Sequence, residues 1–131
     1  MKFRYKRYGG VARPVITVRL KWRGKTIRYE VLIDSGADEC MFDAGMADVL
    51  GIDLEQGEMR KATGVWGQTV VYFLHPVDVE ISGRTYTIDA GFISRPGAPF
   101  EYGAVGQKGF FDKFIVTFDY LKQEIELKAR S

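Results

Sequence analysis

Short β-branched runs, each stopped by a turn, dominate this chain. Pro14 to Leu20 (Pro-Val-Ile-Thr-Val-Arg-Leu) is such a run and reads as a strand. Trp22-Arg23-Gly24-Lys25 supplies a turn, and Thr26 to Ile33 reads as the returning strand of a hairpin. The pattern recurs. Residues 59 to 73 read as a second hairpin, with its tip at Gly64-Val65-Trp66-Gly67 and Thr69 to Leu74 as its return strand. Val77 to Ile81 and Thr85 to Ile93 flank Ser82-Gly83-Arg84, and Ile115 to Tyr120 and Glu124 to Lys128 flank Leu121-Lys122-Gln123. Arg95-Pro96-Gly97-Ala98-Pro99 reads as a loop. The 15 glycines spread along the chain fit tight turns between short strands.

One stretch has a clear helical period. Asp43 is placed to cap a helix that runs to Leu50, with Met46, Val49 and Leu50 on one face and Gly51 as its left-handed end. Gly109 to Phe114 has room for a single helical turn. About eight short strands, one helix and no βαβ rhythm predict a mostly-β barrel or sandwich. No linker divides the chain. Residues 1–13 are set apart as a basic and aromatic N-terminal arm, loose or an edge strand, and 14–131 as the domain.

At 131 residues, with 46% hydrophobic and 27% charged residues, the chain suits one globular domain with a real core. The single thiol, Cys40, excludes an internal disulfide and fits a reducing compartment. The first residues lack the apolar segment of a signal peptide, and Val70 to Leu74 is far too short to cross a bilayer. A cytoplasmic protein without a membrane partner is the expectation.

The most informative segment is Val31-Leu32-Ile33-Asp34-Ser35-Gly36-Ala37-Asp38, an apolar strand running straight into an acid, a hydroxyl and a glycine. Read alone, the triplet Asp34-Ser35-Gly36 is ordinary turn chemistry, since such triplets are common in turns. In context the segment resembles the active-site loop of the retroviral-type, single-lobe aspartic proteases, a group whose bacterial members the later Gly109 to Phe114 turn resembles. Two further elements fall in the same order. Thr63-Gly64-Val65-Trp66-Gly67 resembles the flap tip of that family, and Ala104-Val105-Gly106 resembles its second conserved-type element. Gly109 to Phe114 and Val116 to Tyr120 then resemble the closing turn and strand.

The resemblance implies a closed β-barrel-like retropepsin lobe with one short helix and a flap hairpin, acting as an aspartic endopeptidase on a peptide or protein substrate. Peptide hydrolysis needs an activated water and an acid for the leaving amine. Two carboxylates within hydrogen-bond reach hold one proton between them and supply both. The chain carries one Asp-Ser-Gly, so the resemblance implies a homodimer with Asp34 and its mate beside the two-fold axis. Ser35 hydroxyls would lock the two loops, and Gly36 would let the backbone turn and approach substrate. Ala37 and Asp38 would contact the bound peptide, with a solvated turn acid as the other reading of Asp38. Gly64, Val65, Trp66 and Gly67 would close over it, with Trp66 packed on its own sheet as the competing reading.

Two positions depart from the family. Ser35 stands where most members have Thr, and Gln107 follows Gly106 where retroviral enzymes have Arg. With Trp66 they motivate an alternative, a non-catalytic peptide-binding module of the same fold. No Cys/His cluster exists, so neither a metal nor a Cys-His nucleophile is expected, and no cofactor-binding loop is present. His75, before Pro76, reads as structural, and Glu58, Arg60 and Lys61 as the solvated base of the second hairpin. Lys2 to Tyr8 interleaves basic and aromatic residues, a pattern shared with single-strand binders. The net charge of only +2 argues against a nucleic-acid partner.

Overall fold

Trp22 and Lys25 pair across a two-residue turn, Arg23-Gly24, in which both residues have positive φ (44° and 81°). Such a turn matches the natural twist of the strands it joins, and only a glycine takes the second position without strain. It connects β4 (Val15–Trp22) to β5 (Lys25–Ile33), the hairpin expected from the sequence. The same device, Ser82-Gly83, joins β8 (Thr69–Ile81) to β9 (Arg84–Ile93). The computed structural model describes residues 1–63, 66–94 and 101–130.

Six strands close a barrel. β4 pairs with β5, and β5 with β10 (Gly103–Val105). The order continues through β6 (Cys40–Asp43), β9 and β8, and β8 returns to β4 through Leu20 opposite Val79. The β5–β10 and β6–β9 contacts are parallel. β7 (Glu58–Thr63) extends the sheet outward as the partner of β8. Closure removes most open edges of the sheet. The barrel is filled by fully buried side chains including Val31, Phe42, Phe92 and Leu20. Each such burial contributes roughly 1.5–3 kcal/mol.

A second sheet, in the order β1 (Lys2–Arg4), β12 (Glu124–Ala129), β11 (Phe114–Asp119), packs Phe114, Ile125 and Leu127 onto the same core. β12 is thus an internal strand. β2 (Lys6–Tyr8) and β3 (Val11–Arg13) form a small hairpin, so residues 1–13 are largely paired. Lys6 ties that hairpin to the barrel, reaching Glu30 at 2.5 Å and also the Thr17 hydroxyl. Burial alone would raise the Glu30 carboxyl. Hydrogen bonds from Lys6 and Thr17, with the charges of Lys6 and Arg28, outweigh it and hold the group below its ordinary value.

The helix α1 (Ala44–Leu50) has the expected caps. The Asp43 side chain accepts from the Gly45 N–H, and Gly51 ends the helix at φ 81°. Its inner face differs from expectation: Ala47 and Leu50 are buried, whereas Val49 is 53% exposed. Two other expectations are corrected. Thr69 to Leu74 and Val77 to Ile81 are one continuous strand, β8. Pro76 is tolerated because it lies where pairing to β7 has ended at Leu74 and pairing to β4 has not begun at Asp78. Gly109 to Lys113 is a run of turns and not a helix, and Phe114 already begins β11. One α-type bond, Phe114 N–H to Phe110 C=O, sits beside wider bonds from Phe111 to Gly106 and from Asp112 to Gln107. The expected loop at 95–99 lies outside the described residues.

Candidate active site

β5 ends at Ile33, and the next residue is Asp34. Its N–H donates to the Val105 carbonyl at 3.0 Å, carrying the parallel β5–β10 contact one step past the strand. Burial of Val31 and Ile33 anchors the strand, and the Asp34 side chain emerges half-buried at the barrel rim. The chain then turns: the Ala37 N–H donates to the Asp34 carbonyl at 3.2 Å, and the Gly36 N–H donates to Asp34 Oδ1 at 2.9 Å. A Cβ on residue 36 would press on that oxygen at 3.2 Å, so glycine leaves the carboxylate its room. Ser35, Gly36 and Asp38 are exposed, and Ala37 is half-buried.

The loop is clamped by the segment after β10. The Gln107 N–H donates to the Ala37 carbonyl at 2.8 Å, and the Lys108 N–H to the Asp38 carbonyl at 3.0 Å. Gly106 lies beneath them, where a Cβ would sit against the Ala37 carbonyl oxygen and 2.7 Å from that of Glu39. The Gln107 side chain adds a third bond, Nε2 to the Ser35 carbonyl at 2.7 Å. Cys40 closes the layer below. Its sulfur accepts from the Gly106 N–H, and burial pushes its thiol up to about 11. It is a fully buried core residue.

The residue after Asp38 joins this loop to the outer hairpin. Glu39 accepts from the Tyr72 hydroxyl at 2.6 Å on β8 and from Arg60 at 3.2 Å on β7. Arg60 and Tyr72 are direct cross-strand partners, so one carboxylate holds both strands of the hairpin. Burial first, then the hydrogen bond and charge of Glu39, raise the Tyr72 hydroxyl above its ordinary value. Arg60 is therefore not merely part of a solvated base. Gly91 gives Tyr72 its place, since a Cβ there would meet the tyrosine ring at 2.7 Å.

At the hairpin tip, Gly64 and Val65 lie outside the described residues. Trp66 is 90% exposed, so it is not packed on its own sheet, and Gly67 has a φ of 81°. His75 is buried within β8 and its Nε2 lies 2.8 Å from the Leu54 carbonyl. Among the described residues, no group of three or more His, Cys, Asp or Glu side chains converges to hold a metal ion, and no helix is long and apolar enough to cross a membrane.

The structure thus brings Asp34, Ser35, Gly36, Ala37 and Asp38 together in one clamped loop, and places Trp66 and Gly67 on a hairpin tied to it through Glu39. Sequence reasoning did not assign Glu39, Tyr72 or the contact of Gln107. The two hairpin contacts carry no local signal, whereas Gln107 is marked by its position after Gly106.

No protein-family model matches the chain, and no curated protein matches it. Among solved structures it is similar to EIAV protease complexed with the inhibitor HBY-793, with 22% identity, 78% of this chain and 88% of that one covered, and a TM-score of 0.56. It is also similar to a retropepsin-like aspartic protease from Rickettsia conorii, with 14% identity, 97% of this chain and 89% of that one covered, and a TM-score of 0.70. The closed barrel, with one short α-helix among the described residues, is a retropepsin-like fold.

Proposed function

We propose that this chain is one subunit of a homodimeric aspartic endopeptidase, with residues 14–131 as the protease domain and 1–13 as its N-terminal arm. The observation that carries the reading is the clamped loop. Asp34 stands at the barrel rim with one oxygen engaged by its own loop, backed by the Ala104-Val105-Gly106 segment. One such carboxylate hydrolyses no peptide by this mechanism. Two of them beside a two-fold axis hold a single proton, the charged one drawing a proton from water and the other protonating the leaving amine.

In this reading Ser35 locks the two loops together and Ala37 and Asp38 line the path of an extended peptide. The hairpin β7–β8 is the flap, with Gly64, Val65, Trp66 and Gly67 at its tip. Closure of that tip excludes water from the reacting bond. Hydrolysis of a mixed peptide library by the wild type and by Asp34→Asn, with the dimer confirmed for both, tests the proposal. Cleavage by the wild type alone supports it, and cleavage by both removes Asp34 from the mechanism.

The exposure of Trp66 favours a second reading, a peptide-binding module without turnover, because a bare aromatic at a hairpin tip suits recognition by itself. Saturable binding of an extended peptide with no cleavage distinguishes it.

A further inference from the structure

The Ser35–Gly36 peptide group is held at both ends. Its carbonyl accepts from Gln107 Nε2 at 2.7 Å, and its N–H donates to Asp34 Oδ1 at 2.9 Å. A peptide group is planar, so fixing the carbonyl fixes the direction of the N–H. The plane needs fixing. It is exposed, and Gly36 has no Cβ to resist its rotation. Water satisfies an exposed carbonyl equally well without choosing an orientation. Gln107 itself starts from a rigid base, since its own N–H is bonded to Ala37 and its carbonyl accepts from the Asp112 N–H at 3.2 Å.

We propose that Gln107 is a positioning residue, which locks the Ser35–Gly36 peptide so that the Gly36 N–H stays on the Asp34 carboxylate. The inference rests on the reading of Asp34 as the catalytic carboxylate. A neutral amide is well suited to this role, because it donates without placing a formal charge beside the acid, where a cation would favour the ionised form. Gln107 acts through the peptide and touches no reacting atom.

Gln107→Ala and Gln107→Glu test this in the full chain. A glutamic acid donates only while protonated, below its ordinary value of about 4.3. Two readouts are followed against pH: hydrogen exchange of the Gly36 amide, which needs no activity, and kcat and KM for a cleaved peptide. Gln107→Ala is expected to speed Gly36 exchange about tenfold, relative to its intrinsic rate, and to lower kcat by about tenfold with little change in KM, the scale of one lost hydrogen bond. Gln107→Glu is expected to match the alanine variant near neutral pH and to recover Gly36 protection and kcat, relative to wild type, as pH falls through about 4. Unchanged Gly36 exchange in the alanine variant, or a glutamate variant with no recovery in acid, overturns the proposal. Absence of wild-type cleavage sinks the protease reading instead, and the Gly36 exchange data then still decide whether Gln107 holds the plane.

Discussion

Gly106 lies against the carbonyl of Ala37 so closely that a side chain of any size collides with backbone. The atoms in the way, the carbonyl oxygens of Ala37 and Glu39, belong to the loop that follows Asp34 and cannot swing aside like a flexible side chain. Gly106→Ala is therefore expected to lose about 2 kcal/mol of stability, the range of overpacked sites. Urea unfolding of the variant checks it. The result also bears on chemistry, because the displaced carbonyl belongs to the clamp on the Asp34 loop.

The ties between Glu39 and the outer hairpin are unequal. Tyr72 is buried while the Arg60 side chain is 39% exposed. Tyr72→Phe is expected to cost about 1.5 kcal/mol, as for a hydrogen bond to a charged group. Arg60→Ala is expected to cost clearly less, as for an exposed ion pair. Denaturant unfolding gives the ranking, and faster amide exchange across residues 58–63 and 69–74 in Tyr72→Phe locates the loosened element. Equal costs would deny Glu39–Tyr72 its place as the principal tie.

Glu30 sets an acid-side dependence. Its carboxyl is held below its ordinary value, so its contribution is present at neutral pH and is lost as pH falls through the lowered value. Its side chain is 27% exposed, which keeps the effect near 1 kcal/mol. Glu30→Gln is expected to be less stable than the wild type at pH 7, with the gap shrinking below about pH 4. Paired unfolding curves at the two pH values measure it.

Much of the barrel and the centre of the candidate site were legible because the signals were local. The run Val31-Leu32-Ile33 before Asp34-Ser35-Gly36, and Asp43 and Gly51 around α1, each write their geometry into neighbouring residues. β6 and β10 were not legible. They are short, and their parallel partners lie far along the chain, so no alternation had length to develop. The sequence divides β8 into Thr69 to Leu74 and Val77 to Ile81, on either side of Pro76, because a proline inside a strand normally breaks it. Only the handover of β8 from β7 to β4 removes the penalty. Gln107 is marked by its position after Gly106, but its partner Ser35 lies 72 positions away, so the bond between them was not legible.

The central claim is that two chains build one site, and subunit mixing tests it most directly. Wild type and Asp34→Asn are mixed in equal amounts, allowed to exchange, and assayed on a peptide that the wild type cleaves. A shared dyad leaves activity only in wild-type pairs, so roughly one quarter of the activity of an all-wild-type sample at the same total concentration remains. Roughly one half would mean that each Asp34 works alone, and would contradict the account.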